Sequence, residues 1–81
     1  MTETVMDALL IGRRATVVER IAQARAYINA QLWPSRLLLA RITPHEREQF
    51  NLWLDYIDEL NGLDLTEPFI VWPVAPAKEG I

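Results

Sequence analysis

Thr43-Pro44-His45-Glu46-Arg47-Glu48-Gln49-Phe50-Asn51-Leu52-Trp53-Leu54-Asp55-Tyr56-Ile57-Asp58-Glu59-Leu60-Asn61-Gly62 reads as one complete helix with both ends marked. Thr43 supplies a capping hydroxyl, Pro44 sits where a missing N–H costs nothing, and Glu46 can reach back to the amide of Thr43. Phe50, Trp53, Leu54, Ile57 and Leu60 follow as an apolar spine at helical spacing, and Asn61-Gly62 offers a left-handed stop. Glu46 and Glu48 suit the positive end of the helix dipole. Asp58 and Glu59 oppose it at the other end by about 0.3 to 1 kcal/mol each if exposed, so basic groups are expected beside them.

Upstream, Val17, Ile21, Ala24, Ile28 and Leu32 step by four, three, four and four residues, which sets them on one stripe of a second helix. Thr16-Val17-Val18-Glu19 fits a capping box, yet a start near Thr4 is also open, with Gly12 tolerated at a cost of about 1 kcal/mol. The long helix with a weak joint at Gly12 is the favoured reading. It should falter at Trp33, because Pro34 pushes the residue before it away from helical dihedrals. Pro34 to Ile42 then makes a short helix or a bent continuation, with proline at its first position and Leu37, Leu38 and Leu39 turned inward. Antiparallel packing of the two main helices would place Arg13, Arg14 and Arg20 beside the acidic end near Asp58 and Glu59.

After Gly62 the helical period is lost. Leu63 to Pro76 is rich in β-branched, aromatic and proline residues, and Pro68, Pro73 and Pro76 forbid a central strand. An extended arm is expected, lying across the helices, joining another protomer or awaiting a partner, with Ala77 to Ile81 frayed. The fold class is therefore all-α: an antiparallel helical hairpin over residues 1–62 with an extended C-terminal arm over 63–81, together one domain.

The chain has 81 residues, a net charge of -3, 51% apolar and 23% charged residues, which suits one small folded unit. At this size folding hides only roughly 60 to 65% of the extended chain's surface, so a partner would add needed stability. The absence of cysteine excludes disulfides and thiolate metal sites and fits a reducing compartment. One histidine, one serine and one lysine leave almost no stock for a nucleophile and its base, and three glycines offer no phosphate-cradling loop. His45, Glu46 and Glu48 share a first helical turn but supply at most two metal ligands, and Asp55 and Glu59 are explained more simply as solvated or arginine-facing than as an acid–base pair. No catalytic residue, cofactor or metal is assigned.

The start is acidic rather than basic, and no stretch reaches the roughly 18 to 20 apolar residues of a membrane span. Residues 1–42 carry six arginines against three acids and residues 43–81 carry two cations against eight acids, so the halves attract. Arg13, Arg14, Arg20 and Arg25 lack an accompanying aromatic stacking series, which leaves nucleic-acid binding as a minor alternative.

Leu39-Ala40-Arg41-Ile42-Thr43-Pro44-His45-Glu46-Arg47, then Trp53 and Tyr56, then Leu63-Asp64, and finally Trp72-Pro73 resemble the C-terminal domain of tailed-bacteriophage tail fibre assembly proteins. The likeness covers about residues 17–76 and is strongest over 43–73. It implies a non-catalytic chaperone that binds the C-terminal region of a tail fibre protein and assists its folding and trimerisation, in the host cytoplasm or retained on the virion's fibre. Leu54, Asp55 and Ile57 stand where the family usually carries basic residues, and the spacer from Asp64 to Trp72 is longer than usual. Typical members have a larger N-terminal region, so this chain is expected to be a fragment, an isolated domain or a short relative.

The aromatic residues support a binding role on their own. Phe50 and Trp53 follow the helix stripe and belong to the core, whereas Tyr56 is expected at an edge where its hydroxyl meets water. Phe69 and Trp72 alternate with Ile70 and Val71 and either clamp the helices or seat a partner. Trp53, Tyr56, Phe69, Trp72 and Pro73 are the candidate partner-binding residues. A homodimer built from exposed helix stripes is the alternative reading.

Overall fold

The computed structural model describes residues 2–78, and side chains from residue 8 onward. Three helices follow one another: α1 (Thr2–Ala30), α2 (Trp33–Leu38) and α3 (Pro44–Asn61). Residues 63–78 carry no helix or strand. The helices α1 and α3 pack as an antiparallel hairpin, for Arg13 on α1 meets the segment just beyond the end of α3, while Trp33, just beyond α1, meets Phe50 early in α3. At 29 residues α1 outruns the 18 residues of α3. The radius of gyration is 16.0 Å, against about 12 Å for a compact domain of this length.

Thr16 lies inside α1, where its hydroxyl donates to the carbonyl of Gly12 at 3.1 Å, so the helix runs unbroken through Gly12 and the capping box at Thr16 is unused. Ala24 and Ile28 are buried and Val17 and Ile21 partly so, as the stripe predicts. Leu32 is not part of it. The helix ends at Ala30, before the expected break, and Leu32 adopts the left-handed region at φ 63° and stays exposed. That conformation costs about 1 to 2 kcal/mol for a residue with a side chain, but it swings Trp33 inward to 5% exposure against Phe50. Burying an indole at about 25 cal/mol per Å² returns about 4 to 6 kcal/mol. The turn is settled by that difference. Trp33 itself opens α2 and Pro34 takes the second helical position rather than the first.

The end of α2 is a Schellman motif. Arg41 N–H donates to the carbonyl of Arg36 at 2.6 Å and Ala40 N–H to that of Leu37 at 3.1 Å, with Ala40 at φ 56° where glycine is usual. This tight reversal leaves no interior for the leucines to enter. Leu37, Leu38 and Leu39 were expected inward, yet all three are exposed, Leu38 at 85%.

The start of α3 carries the full capping box: Glu46 N–H donates to the Thr43 hydroxyl at 3.1 Å and Thr43 N–H to the Glu46 carboxylate at 3.0 Å. The second bond holds the Glu46 carboxyl below its ordinary value of 4.5. Arg36 Nε approaches the same carboxylate at 3.6 Å and ties α2 to α3. Thr43→Ala is expected to lower stability by about 0.5 to 2 kcal/mol, read as a drop in Tm that Thr43→Ser largely restores.

The inner face of α3 is Trp53, Tyr56, Ile57 and Leu60. Two sequence expectations change here: Tyr56 is buried rather than at an edge, and Leu54 is exposed rather than in the spine. Three and four residues beyond Trp53 lie Tyr56 and Ile57, which straddle the line of contact, whereas Leu54 is turned about 100° from Trp53. Gly62 also differs from expectation. Its φ of -88° is right-handed, and the helix ends by tightening, with Gly62 and Leu63 N–H groups donating three residues back.

Candidate partner-binding site

Five aromatic rings form a continuous spine between the two long helices. Phe50 stacks on Trp33 at 5.9 Å, Trp33 meets the edge of Tyr27 at 5.7 Å, Tyr27 lies 4.7 Å from Trp53, and Trp53 meets Tyr56 at 5.9 Å. Each such pair adds about 0.5 to 1.5 kcal/mol beyond the area it buries. Trp53 is 2% exposed, and among the described residues its indole Nε1 has no acceptor.

The arm is fastened to the helices in three places. After α3, Asp64 accepts from the amide and hydroxyl of Thr66, which bends the chain and holds the Asp64 carboxyl below its usual value. Arg13 then donates to the carbonyls of Leu65 and Glu67 at 2.7 Å and of Pro68 at 3.2 Å. The expected arginine is thus beside the end of α3, but it holds backbone oxygens of the arm rather than the carboxylates of Asp58 and Glu59. Further on, Trp72 packs against the core while the Arg20 guanidinium lies 4.7 Å over its ring. Lys78 stands 5.6 Å from the Tyr27 ring and secures the end of the described arm.

These fastenings sort the arm's side chains by face. In extended backbone successive residues point to opposite sides, so Ile70 and Trp72 turn toward the helices and Phe69 and Val71 turn away. Phe69 is 88% exposed, Val71 86% and Val74 89%. Beside Val74 a groove of about 390 Å³ runs between the arm and α3, lined by Leu52, Asp55, Tyr56, Glu59, Val74 and Pro76. The outer face of the arm thus carries Phe69 and Val71, and Val74 lines the neighbouring groove, whose rim holds Asp55 and Glu59.

The five sequence-derived candidates therefore part company. Trp53 and Tyr56 are buried in the spine, Tyr56 also lining the groove; Trp72 and Pro73 are half-buried; Phe69 alone stands free in water. Reading Phe69 and Trp72 as a pair joined residues three apart, which lie on opposite faces of an extended chain. Val71 and Val74 were not among the candidates, although a period of two already links Val71 to Phe69. Glu46 is held by its capping bond, and among the described residues no three acidic or imidazole side chains gather in a way that would hold a metal. No described helix is long and apolar enough to cross a membrane.

An antiparallel helical hairpin with an aromatic spine, strapped by a proline-rich arm that leaves apolar side chains exposed, defines an all-helical class. The chain belongs to the Caudovirales tail fibre assembly protein family, described by lambda gpK, whose family profile matches residues 13–77. It is 41% identical over 60 residues to the uncharacterized protein YfdK of Escherichia coli (strain K12), covering 73% of this chain and 41% of that protein. It is 40% identical over 60 residues to the uncharacterized protein YmfS of the same strain, covering 73% of this chain and 44% of that one. The chain thus spans less than half the length of the curated relatives it matches. No solved structure matches it.

Proposed function

We propose that this chain binds the C-terminal region of a tail fibre protein through the outer face of its arm, and that it assists the fibre's folding and trimerisation without catalysis. The observation that carries the reading is the outward face of Phe69 and Val71, with exposed Val74 at the groove beside α3, on a strap whose inner side is fixed through Arg13 and Trp72. Large apolar side chains left exposed close together in the chain mark contact surfaces. Such a face on a flexible tail would lose entropy on docking, whereas one tied to the helices is already placed. Membership of the tail fibre assembly family supplies the partner class.

Co-expression tests the reading. The C-terminal region of the fibre from the same phage or prophage is expected to be soluble and trimeric with this chain and to aggregate without it. Equal yield of soluble trimer in its absence would sink the chaperone role. Self-association is the competing use of exposed apolar surface, favoured by Leu37, Leu38 and Leu39 at the hairpin tip. Sedimentation of the isolated chain over a wide concentration range separates the two, since a strict monomer leaves the tip without a twin.

A further inference from the structure

A second cavity lies on the other side of the arm and differs in chemistry from its outer face. It holds about 150 Å³ between α1, α3 and the arm, and its walls include Arg20, Gln23, Trp53, Tyr56 and Lys78 with two alanines. Among the described residues, every ionisable group on this wall besides the Tyr56 phenol is a cation. Among the described residues, neither Arg20 nor Lys78 has a carboxylate within ion-pair distance; their charges rest on the faces of Trp72 and Tyr27 instead. A guanidinium stacked on a ring keeps its in-plane N–H groups available, and that fork matches a carboxylate. The volume suits one carboxylate with its short stem.

We infer that this cavity is a carboxylate-binding site, filled in the complex by an aspartate or glutamate side chain of the tail fibre. The assignment of the fibre as source rests on the function proposed above; the carboxylate chemistry does not. Charge complementarity selects the occupant. A carboxylate pairs with both cations of this wall and can accept from the Gln23 side chain, whereas an apolar side chain pairs with none of them. Trp53, in the cavity wall with Tyr56, makes a built-in reporter through its indole N–H.

The test is a nitrogen-15 NMR titration of the full chain, following the three indole N–H signals, with Trp53 assigned through Trp53→Phe. N-acetylglutamate amide is expected to move the Trp53 signal saturably. N-acetylglutamine amide, the neutral isostere, is expected not to. N-acetylglycine distinguishes a main-chain terminal carboxylate from a side-chain one, and the side-chain probe should bind more tightly. Arg20→Gln and Lys78→Gln should each weaken the glutamate probe at least fivefold, and Lys78, exposed at the end of the described arm, can be changed without disturbing the core. Absence of saturable movement with either carboxylate, or equal response to the glutamine probe, overturns the site. A Trp53 signal of the protein alone that shifts with Glu79→Gln would place the occupant within this chain and overturn a partner's carboxylate.

The same variants are then measured against the fibre region. Tenfold weaker binding supports the fibre as source, while unchanged binding with a working probe response rejects it. A fibre that ignores even the unaltered chain counts against the proposed function alone, since the probe titration needs no fibre.

Discussion

Trp53→Ala is expected to cost about 3 to 5 kcal/mol, the range for removing a large aromatic group from a packed interior. Trp53 touches Tyr27 and Tyr56 and is 2% exposed, so its loss opens the contact between α1 and α3 at its middle. A chain of 81 residues has a total stability of about 4 to 12 kcal/mol. The elongated shape and small buried set place this one toward the lower end. A loss of that size removes most of the folded population. Urea unfolding followed by circular dichroism should show the helical signal gone or its midpoint near zero denaturant. Leu54→Ala, on the neighbouring but exposed position, is the internal control and should change stability by about 0.5 kcal/mol or less. If Trp53→Ala lost less than about 1 kcal/mol, the aromatic spine would not be what joins the helices. Trp53→Phe keeps a ring in place and is expected to retain the fold.

The hairpin was legible because its decisive signals are local. Thr43, Pro44 and Glu46 fix the start of α3 within four residues, and the capping bonds form as their chemistry requires. The stripe of Val17, Ile21, Ala24 and Ile28 likewise needs only the helical period. What the sequence misjudged depended on distant atoms. Whether Leu54 or Tyr56 faces inward turns on a rotation of the helix that α1 decides, since both lie within reach of the apolar face. The leucines after Pro34 read as core because they are apolar, but the left-handed residues Leu32 and Ala40 keep the reversal too tight for them to be covered. No local pattern announces either conformation, because neither residue is a glycine.

The candidate site was legible in part for the same reason. The prolines and β-branched residues marked an arm, yet which of its faces is inner was set by Arg13 reaching across more than fifty positions and by Arg20 lying over Trp72. Long-range pairs of a cation with a carbonyl or a ring have no fixed spacing in the chain. The cavity at Arg20 and Lys78 follows from that strap and was correspondingly invisible.

Phe69→Ala therefore separates the fold from the interface more cleanly than any change at Trp72. Phe69 is 88% exposed and faces away from the helices, so its truncation should alter stability by about 0.5 kcal/mol or less. An aromatic anchor at the centre of a contact commonly contributes about 2 kcal/mol or more, which corresponds to roughly thirtyfold in Kd. Binding to the fibre region, measured by calorimetry, is expected to weaken by about that factor while Tm stays unchanged. Trp72→Ala should behave otherwise: it removes a half-buried indole from beneath Arg20, so it lowers Tm and weakens binding together by loosening the strap. The two variants part in Tm, while both weaken binding, only if the arm's faces are divided as the alternation of Phe69 and Val71 against Ile70 and Trp72 requires. Unchanged affinity in Phe69→Ala, with the fold intact, would move the fibre contact off the arm's outer face and onto another surface of the hairpin.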